Sequence, residues 1–378
     1  VNLRPYDAAW PARYERERAA IVGALGNLVD GGALDGIEHV GSTAVPGLSA
    51  KPCIDILARV HPYPPTSERV AALEAAGFAH HGENGLPGRT YFTKGPHEVH
   101  LHVVGFDSEH WQHHLLFRDY LRAEAGARGR YQALKERLAR EFRDRRDAYQ
   151  DGKSDLIAQL DREALAWHLR VTGFAPVRFA AGELAALSDA GVPWAVASGW
   201  ALDLYLGAPS RYHEDLDVEV AFADQAALQR ALRARGWRLD QVVEGGVYAP
   251  WPDGETVRAG VHQVHGRKDG AFVDVLFAPH DGGAWVYRRD TRVTLARSRA
   301  IRRDVATGVP YLAPEAVLLF KSRSSAAGHE GPVPRPKDDE DFARVLPRLE
   351  GEQRVWLLDA LRLVHGEHPW IGRLGATV

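Results

Sequence analysis

The sequence predicts an α/β (α+β) protein of two tandem domains, each a mixed sheet with flanking helices. Three observations lead there. The chain has 378 residues, beyond the ~250–300 at which a single hydrophobic core stops growing. The same order of elements occurs twice: strand, Gly/Ser turn, helix or loop, acidic strand, later strand. Between the two runs, Val171-Thr172-Gly173-Phe174-Ala175-Pro176 carries the Gly and Pro punctuation of a linker. The boundary is placed near residue 172, giving domains 1–171 and 172–378.

In the first half a helix is expected from Pro11 to about Leu28, then a short apolar run, Ile37 to Val40, interrupted by Gly41-Ser42. A strand candidate follows at Cys53 to Val60, and a helix from Ser67 to Ala76 closes at Gly77, as a C-terminal glycine should. Val99-His100-Leu101-His102-Val103 alternates with a period of two and reads as a strand. Tyr131, Leu134, Leu138 and Phe142 recur at helical spacing on one face.

In the second half the order is a helix from Ala180 to Ala190, a strand from Trp194 to Ala197, the turn Ser198-Gly199, and an apolar helix from Trp200 to Leu206. An acidic strand from Asp215 to Val220, a helix near Gln225 to Arg235 and a strand from Phe272 to Phe277 complete the core. Pro314 opens a helix containing Leu318, Leu319 and Phe320; after a loop from Gly328 to Pro336, a last helical region starts near Lys337.

Composition excludes some classes. With 45% hydrophobic and 26% charged residues the chain is ordinary globular material, and it has no apolar run near the ~18 residues that span a bilayer. One cysteine, Cys53, allows no internal disulfide, and the opening segment lacks the apolar stretch of a signal peptide; a cytoplasmic protein is expected. A net charge of -3 provides no global attraction to nucleic acid. The arginines between Arg118 and Arg146 are interleaved with acidic residues, as on a solvated helix face.

Residues two apart on a strand share a face, so Asp215 and Asp217 project together while Leu216, Val218 and Val220 face the core. Like charges so close are costly unless a divalent cation lies between them. Asp274 sits in a similar strand, Phe272 to Phe277. Three aspartates downstream of a glycine-containing strand-to-helix turn point to metal and phosphate chemistry. Backbone N–H groups at Ser198-Gly199 would face a phosphate, and Gly199 would allow close approach.

The segments SGWALDLYLG, RYHEDLDVEV and FVDVLF resemble the nucleotidyltransferase superfamily, especially its aminoglycoside and lincosamide branch, over about residues 182 to 345. Ser-Gly at 198–199 departs from the usual Gly-Gly or Gly-Ser. The resemblance implies that Asp215 and Asp217 hold two Mg²⁺ ions and that Asp274 completes one metal site or accepts a proton from the attacking hydroxyl. Arg211 and His213 match the Arg-x-His-x-Asp-Leu-Asp pattern, where either neutralises phosphate or orients an aspartate; the alternative is that each is simply a polar side chain facing solvent. Glu219 continues the acidic face one step beyond the metals. Lys321 resembles a lysine that meets the triphosphate, whereas Lys337 and Asp338 also suit a plain helix start.

In the first half, EHVGSTAVPGLSAKPCIDILA, HLHVV, FRDYLR, Tyr131 with Lys135 and Tyr149 with Lys153 resemble the GrpB family, of the same superfamily, over about residues 3 to 168. Gly41-Ser42 supplies the phosphate turn and Asp55 the second carboxylate, but Cys53 stands where the first would be, so a two-metal site is incomplete. Asp55 with His100 and His102, or with His39 beside the turn, would suit a transition metal; packing or hydrogen bonding in a nucleotide cleft is the alternative. Lys51 and Arg118 suit an anionic ligand by the same resemblance.

The expected function is Mg²⁺-dependent transfer of a nucleotidyl group, AMP from ATP, to a hydroxyl of a small, antibiotic-like acceptor by the second domain. A polynucleotide acceptor is the enzyme alternative, and nucleotide binding without catalysis the non-enzyme one. No membrane partner is expected, and the sequence is silent on oligomeric state.

Overall fold

A computed structural model describes residues 2–26, 34–96, 98–106, 108–243, 247–258, 260–268, 271–281, 283–323 and 333–375. The chain divides into two compact units, Val1–Val171 and Thr172–Val378. The segment at the division is less of a linker than its composition suggests. A helix runs through Thr172, Gly173 turns at a φ of 47°, and the next helix starts at Ala175.

The first unit runs α1 (Trp10–Leu25), β1 (Leu34–Val40), β2 (Ile54–Val60), α2 (Ser67–Ala75), β3 (Ala79–His80), β4 (Arg89–Lys94), β5 (Val99–Val104), α3 (Glu109–Ala123), α4 (Ala125–Glu141), α5 (Arg146–Asp151) and α6 (Ser154–Thr172). Its sheet has the order β1-β2-β5-β4-β3. The β2–β5 pair is parallel and the others antiparallel. Ile54, Ile56, Ala58 and Val60 alternate into a core with Trp10, Ile21 and Phe92, each large side chain worth ~1.5–3 kcal/mol on burial. On α4 the buried positions are Ala127, Tyr131, Lys135 and Leu138, so the apolar face carries a lysine within it. The loop 27–33, the end of the first expected helix included, and most of the Gly/Pro-rich loop after residue 323 lie outside the described residues.

The second unit runs α7 (Ala175–Glu183), α8 (Ala185–Asp189), β6 (Trp194–Val196), α9 (Ser198–Leu206), β7 (Asp217–Ala221), α10 (Gln225–Ala234), β8 (Arg238–Val243), β9 (Val247–Pro250), β10 (Gln263–Lys268) and β11 (Ala271–Ala278). A three-stranded sheet follows, β12 (His280–Asp281), β13 (Ala284–Val286) and β14 (Thr294–Ala296). Then come α11 (Arg297–Ala300), β15 (Ile301–Arg303), β16 (Pro310–Leu312), α12 (Pro314–Lys321), α13 (Pro336–Val345), α14 (Gly351–His365) and α15 (Pro369–Gly375). The main sheet has the order β15-β16-β6-β7-β11-β10-β8-β9. Within it β6-β7-β11-β10-β8 repeats the first unit's pattern of one antiparallel, one parallel and two antiparallel pairings. Both units are thus mixed sheets with flanking helices. The expected single helix from Ala180 to Ala190 is split at Leu184, and Asp215 lies in the bend before β7 rather than on the strand. Among the described residues no helix is long and apolar enough to cross a membrane.

Candidate functional site

In the second unit the ladder itself assembles the acidic cluster. β7 and β11 run parallel with Asp217 opposite Asp274, so their side chains emerge on one face of adjacent strands. Asp215, two residues earlier, joins them, and one carboxylate oxygen from each lies within 4.8 Å of the others. Leu216, Val218 and Val220 are buried on the opposite side and anchor the strand. Asp274 is 5% exposed. Its Oδ2 accepts a hydrogen bond from Gln263; its Oδ1 is buried without a hydrogen-bond partner among the described residues, with His265 Nε2 3.7 Å away. Burial, then the neighbouring Asp215, pushes the Asp217 carboxyl up to about 7; burial followed by Asp217 and Asp215 raises that of Asp274 well above its ordinary range. Three oxygen donors at this spacing, one with an orphaned oxygen, fit a hard divalent cation.

The turn before α9 differs from its expected form. Ser198 takes the positive φ, 52°, that a glycine adopts without strain, and its hydroxyl bonds Asp217. Gly199 leaves space, but the space is taken: a Cβ there would collide with the Arg211 guanidinium and the His213 ring. His213 bonds Asp203 at 2.7 Å and lies against Trp200, centroids 4.4 Å apart. Burial pushes it down to about 4.

Two cations expected to meet phosphate are already engaged. Arg211 Nε donates to Asp341 at 3.1 Å, and Lys321, 6% exposed, is held by Asp338 at 2.6 Å and Asp341 at 3.0 Å. A buried ammonium demands such partners, and Asp338, in the first turn of α13, supplies one. Glu219 extends the acidic face away from the cluster: it accepts from Trp285 Nε1 at 2.9 Å, and burial raises its carboxyl to about 7. Gln263, His265 and Asp341 were not singled out from sequence. The period of two along β10, which sets His265 opposite Asp274, is the signal that could have found the first two.

In the first unit the parallel pair β2–β5 places Asp55 opposite His100, the positions held in the second unit by Asp217 and Asp274. His100 Nδ1 and Asp55 Oδ1 are 3.1 Å apart. Burial would raise the Asp55 carboxyl, but its bond with His100 together with the charges of His100, His102 and His114 leaves it low. The third member of the group is Cys53, not His102: ligand atoms of Cys53, Asp55 and His100 all lie within 4.8 Å. His102 turns to Arg89, 3.3 Å from its Nδ1, and burial lowers it to about 3. His39 is spent on Thr43 at 3.0 Å and stacks on Tyr14. Arg118 pairs with Glu38 at 2.6 Å and Asp119 at 2.7 Å, whereas Lys51 does line the cavity at Asp55. Gly41, at a φ of 71°, is required here, because the Asp55 carboxylate fills the space of its missing Cβ. Ser42 Oγ accepts from Lys135 Nζ at 2.9 Å.

Comparison with known proteins matches each unit separately. Residues 1–163 match the family described as GrpB protein, and residues 183–345 the family described as aminoglycoside-2''-adenylyltransferase. The UPF0157 protein SCO7215 of Streptomyces coelicolor is 37% identical over 164 residues, covering 43% of this chain and 84% of that protein. UPF0157 protein YqkA of Bacillus subtilis is 35% identical over 171 residues, 44% of this chain, which spans only 48% of YqkA. Among solved structures, ANT(2'')-Ia in complex with adenylyl-2''-tobramycin is 16% identical, covers 49% of this chain and 97% of its own, and superposes with a TM-score of 0.35. The chain belongs to the GrpB family through its first unit, and its second unit resembles the aminoglycoside-2''-adenylyltransferases.

Proposed function

We propose that the second unit is a divalent-metal-dependent nucleotidyltransferase that transfers a nucleotidyl group, AMP from ATP, to a hydroxyl of a small, antibiotic-like acceptor. The observation that carries this reading is the convergence of Asp215, Asp217 and Asp274 on a strand pair whose other face is core. Carboxylates forced together by a hydrogen-bond ladder repel, and a cation removes that cost. Asp215 and Asp217 would hold Mg²⁺, which when bound supplies charge for the attacking and leaving oxygens of an in-line displacement at phosphorus. Asp274 would share that ligation or take the acceptor's proton as its oxygen attacks the α-phosphorus and pyrophosphate leaves. Its raised affinity for a proton suits a general base, and Gln263 fixes its orientation by holding Oδ2. Ser198, bonded to Asp217, orients that carboxylate. Arg211 and Lys321 would act at a distance, holding Asp341 in place.

The testing experiment incubates the full chain with each nucleoside triphosphate, Mg²⁺ and a panel of aminoglycosides, lincosamides and tRNA, and reads pyrophosphate and adduct by mass spectrometry. An adenylylated antibiotic is expected. Adduct on tRNA alone would replace the acceptor class, and no pyrophosphate with any acceptor would leave the cluster without this chemistry.

A further inference from the structure

The first unit concentrates cationic charge that its own carboxylates leave unneutralised. Lys51, Lys135, Arg146 and Lys153 line one cavity of about 140 Å³ with Tyr149 and Asp55, well above the ~30 Å³ share of a single water. Among the described residues none of the four cations forms an ion pair. Lys135 is 3% exposed and donates only to neutral oxygens, the Ser42 hydroxyl and the Ser49 carbonyl. Lys51 and Lys153 both lie against the Tyr149 ring, Nζ to centroid 4.9 and 4.7 Å. Such contacts recover only part of what desolvating an ammonium costs. Burial and the neighbouring Lys153 bring Lys135 down to about 7. The facing carboxylate, Asp55, is already engaged by His100, and burial pushes the Cys53 thiol up, which keeps it protonated. Four basic side chains around one engaged carboxylate disfavour a divalent ion and favour an anion carrying several charges, which would hold Lys135 and Lys153, lowered by burial to about 7 and about 8, in their ammonium forms.

We propose that this cavity binds a phosphate chain and does so without a divalent cation. The chain's charges take the place of the absent carboxylate partners. Arg146 offers a planar fork to phosphoryl oxygens, and the lysines act as point charges. Whether the chain belongs to an inorganic polyphosphate or to a nucleotide, the recognised chemistry is the same.

The test is calorimetric titration of the full chain with inorganic tripolyphosphate in excess chelator. Binding is expected, with ATP competing for it and AMP, with its single phosphate, at least tenfold weaker. Lys51→Gln and Lys153→Gln, both at the cavity wall, should each weaken tripolyphosphate at least tenfold with an unchanged circular dichroism spectrum. Asp55→Asn should tighten it, because the anion no longer faces a carboxylate. Binding that appears only after Mg²⁺ is added, that weakens in Asp55→Asn or that survives both lysine substitutions overturns the proposal. AMP binding as tightly as tripolyphosphate overturns the assignment to a chain.

Discussion

Lys135 and Lys321 are both buried ammonium groups on helices beside a β-sheet of the same pairing pattern, yet they meet opposite surroundings. Lys321 is clamped by Asp338 and Asp341, so the second unit spends its cation internally and leaves three aspartates facing one another. Among the described residues Lys135 has neutral acceptors only, while the positions matching Asp217 and Asp274 are filled by Asp55 and His100, with Cys53 where Asp215 stands. One scaffold thus ends with an unmet need for a cation and the other with an unmet need for an anion. The difference shows that a shared fold transmits positions, not charges.

The comparison is open to attack at several points. The largest expected effect is on stability: Lys321→Met takes from Asp338 and Asp341 the buried cation they share, leaving them to Arg335 and Arg211, and should cost ~3 kcal/mol in denaturant unfolding. A lysine waiting at the surface for triphosphate would cost little. Next is Asp217→Asn, which keeps size but removes charge at the proposed metal site; transfer should fall ~100- to 1,000-fold, the usual loss for one electrostatic stabiliser. Its metal-free melting temperature should hold or rise, and unchanged transfer would break the reading of the second unit.

The two units should also respond to pH with opposite signs. Asp217 has a folded pKa raised to about 7 from an ordinary 3.8. Its contribution is therefore fully present below about 4 and lost as pH climbs through about 7. Lys135 is lowered to about 7 from 10.5, so its contribution is present above about 10 and lost as pH falls through about 7. Melting curves in chelator, followed separately for Asp217→Asn and Lys135→Met, should each lose one of these slopes. The smallest effect is Lys135→Met at neutral pH: within about 1 kcal/mol of the parent and of stabilising sign, since an unpaired buried charge disappears. A loss comparable with that of Lys321→Met would erase the distinction between the two lysines.

Much of the scaffold was legible in the residues. Period-two alternation marked β5 and β11, and Gly41-Ser42 and Ser198-Gly199 marked the turns, so the doubled order of elements could be read directly. The three aspartates were legible because spacing sets faces on strands. What could not be read was which charges the protein keeps for itself. Arg211 and Lys321 lie near the cluster, but Asp341 reaches them from α13, an element remote in sequence. His102 shares a strand face with His100, yet the side chain of Arg89 on β4 draws it aside. Cys53 was read as an absent ligand, whereas the structure packs it with Asp55 and His100. Lys135 was read only through its pairing with Tyr131 in the family pattern, and spacing gave no sign that it is buried on the apolar face of α4.

The register that sets Asp217 against Asp274 has a kinetic side. It joins strands separated by α10 and three intervening strands, so chain entropy is lost before the contact forms, and the final approach presses like charges together. Pairing of β7 with β11 should therefore be a late and slow event in refolding, quicker in salt, which screens the repulsion. A ligand that recognises only the closed pair arrives after that barrier has been crossed. It should lengthen the lifetime of the native second unit without hastening its birth.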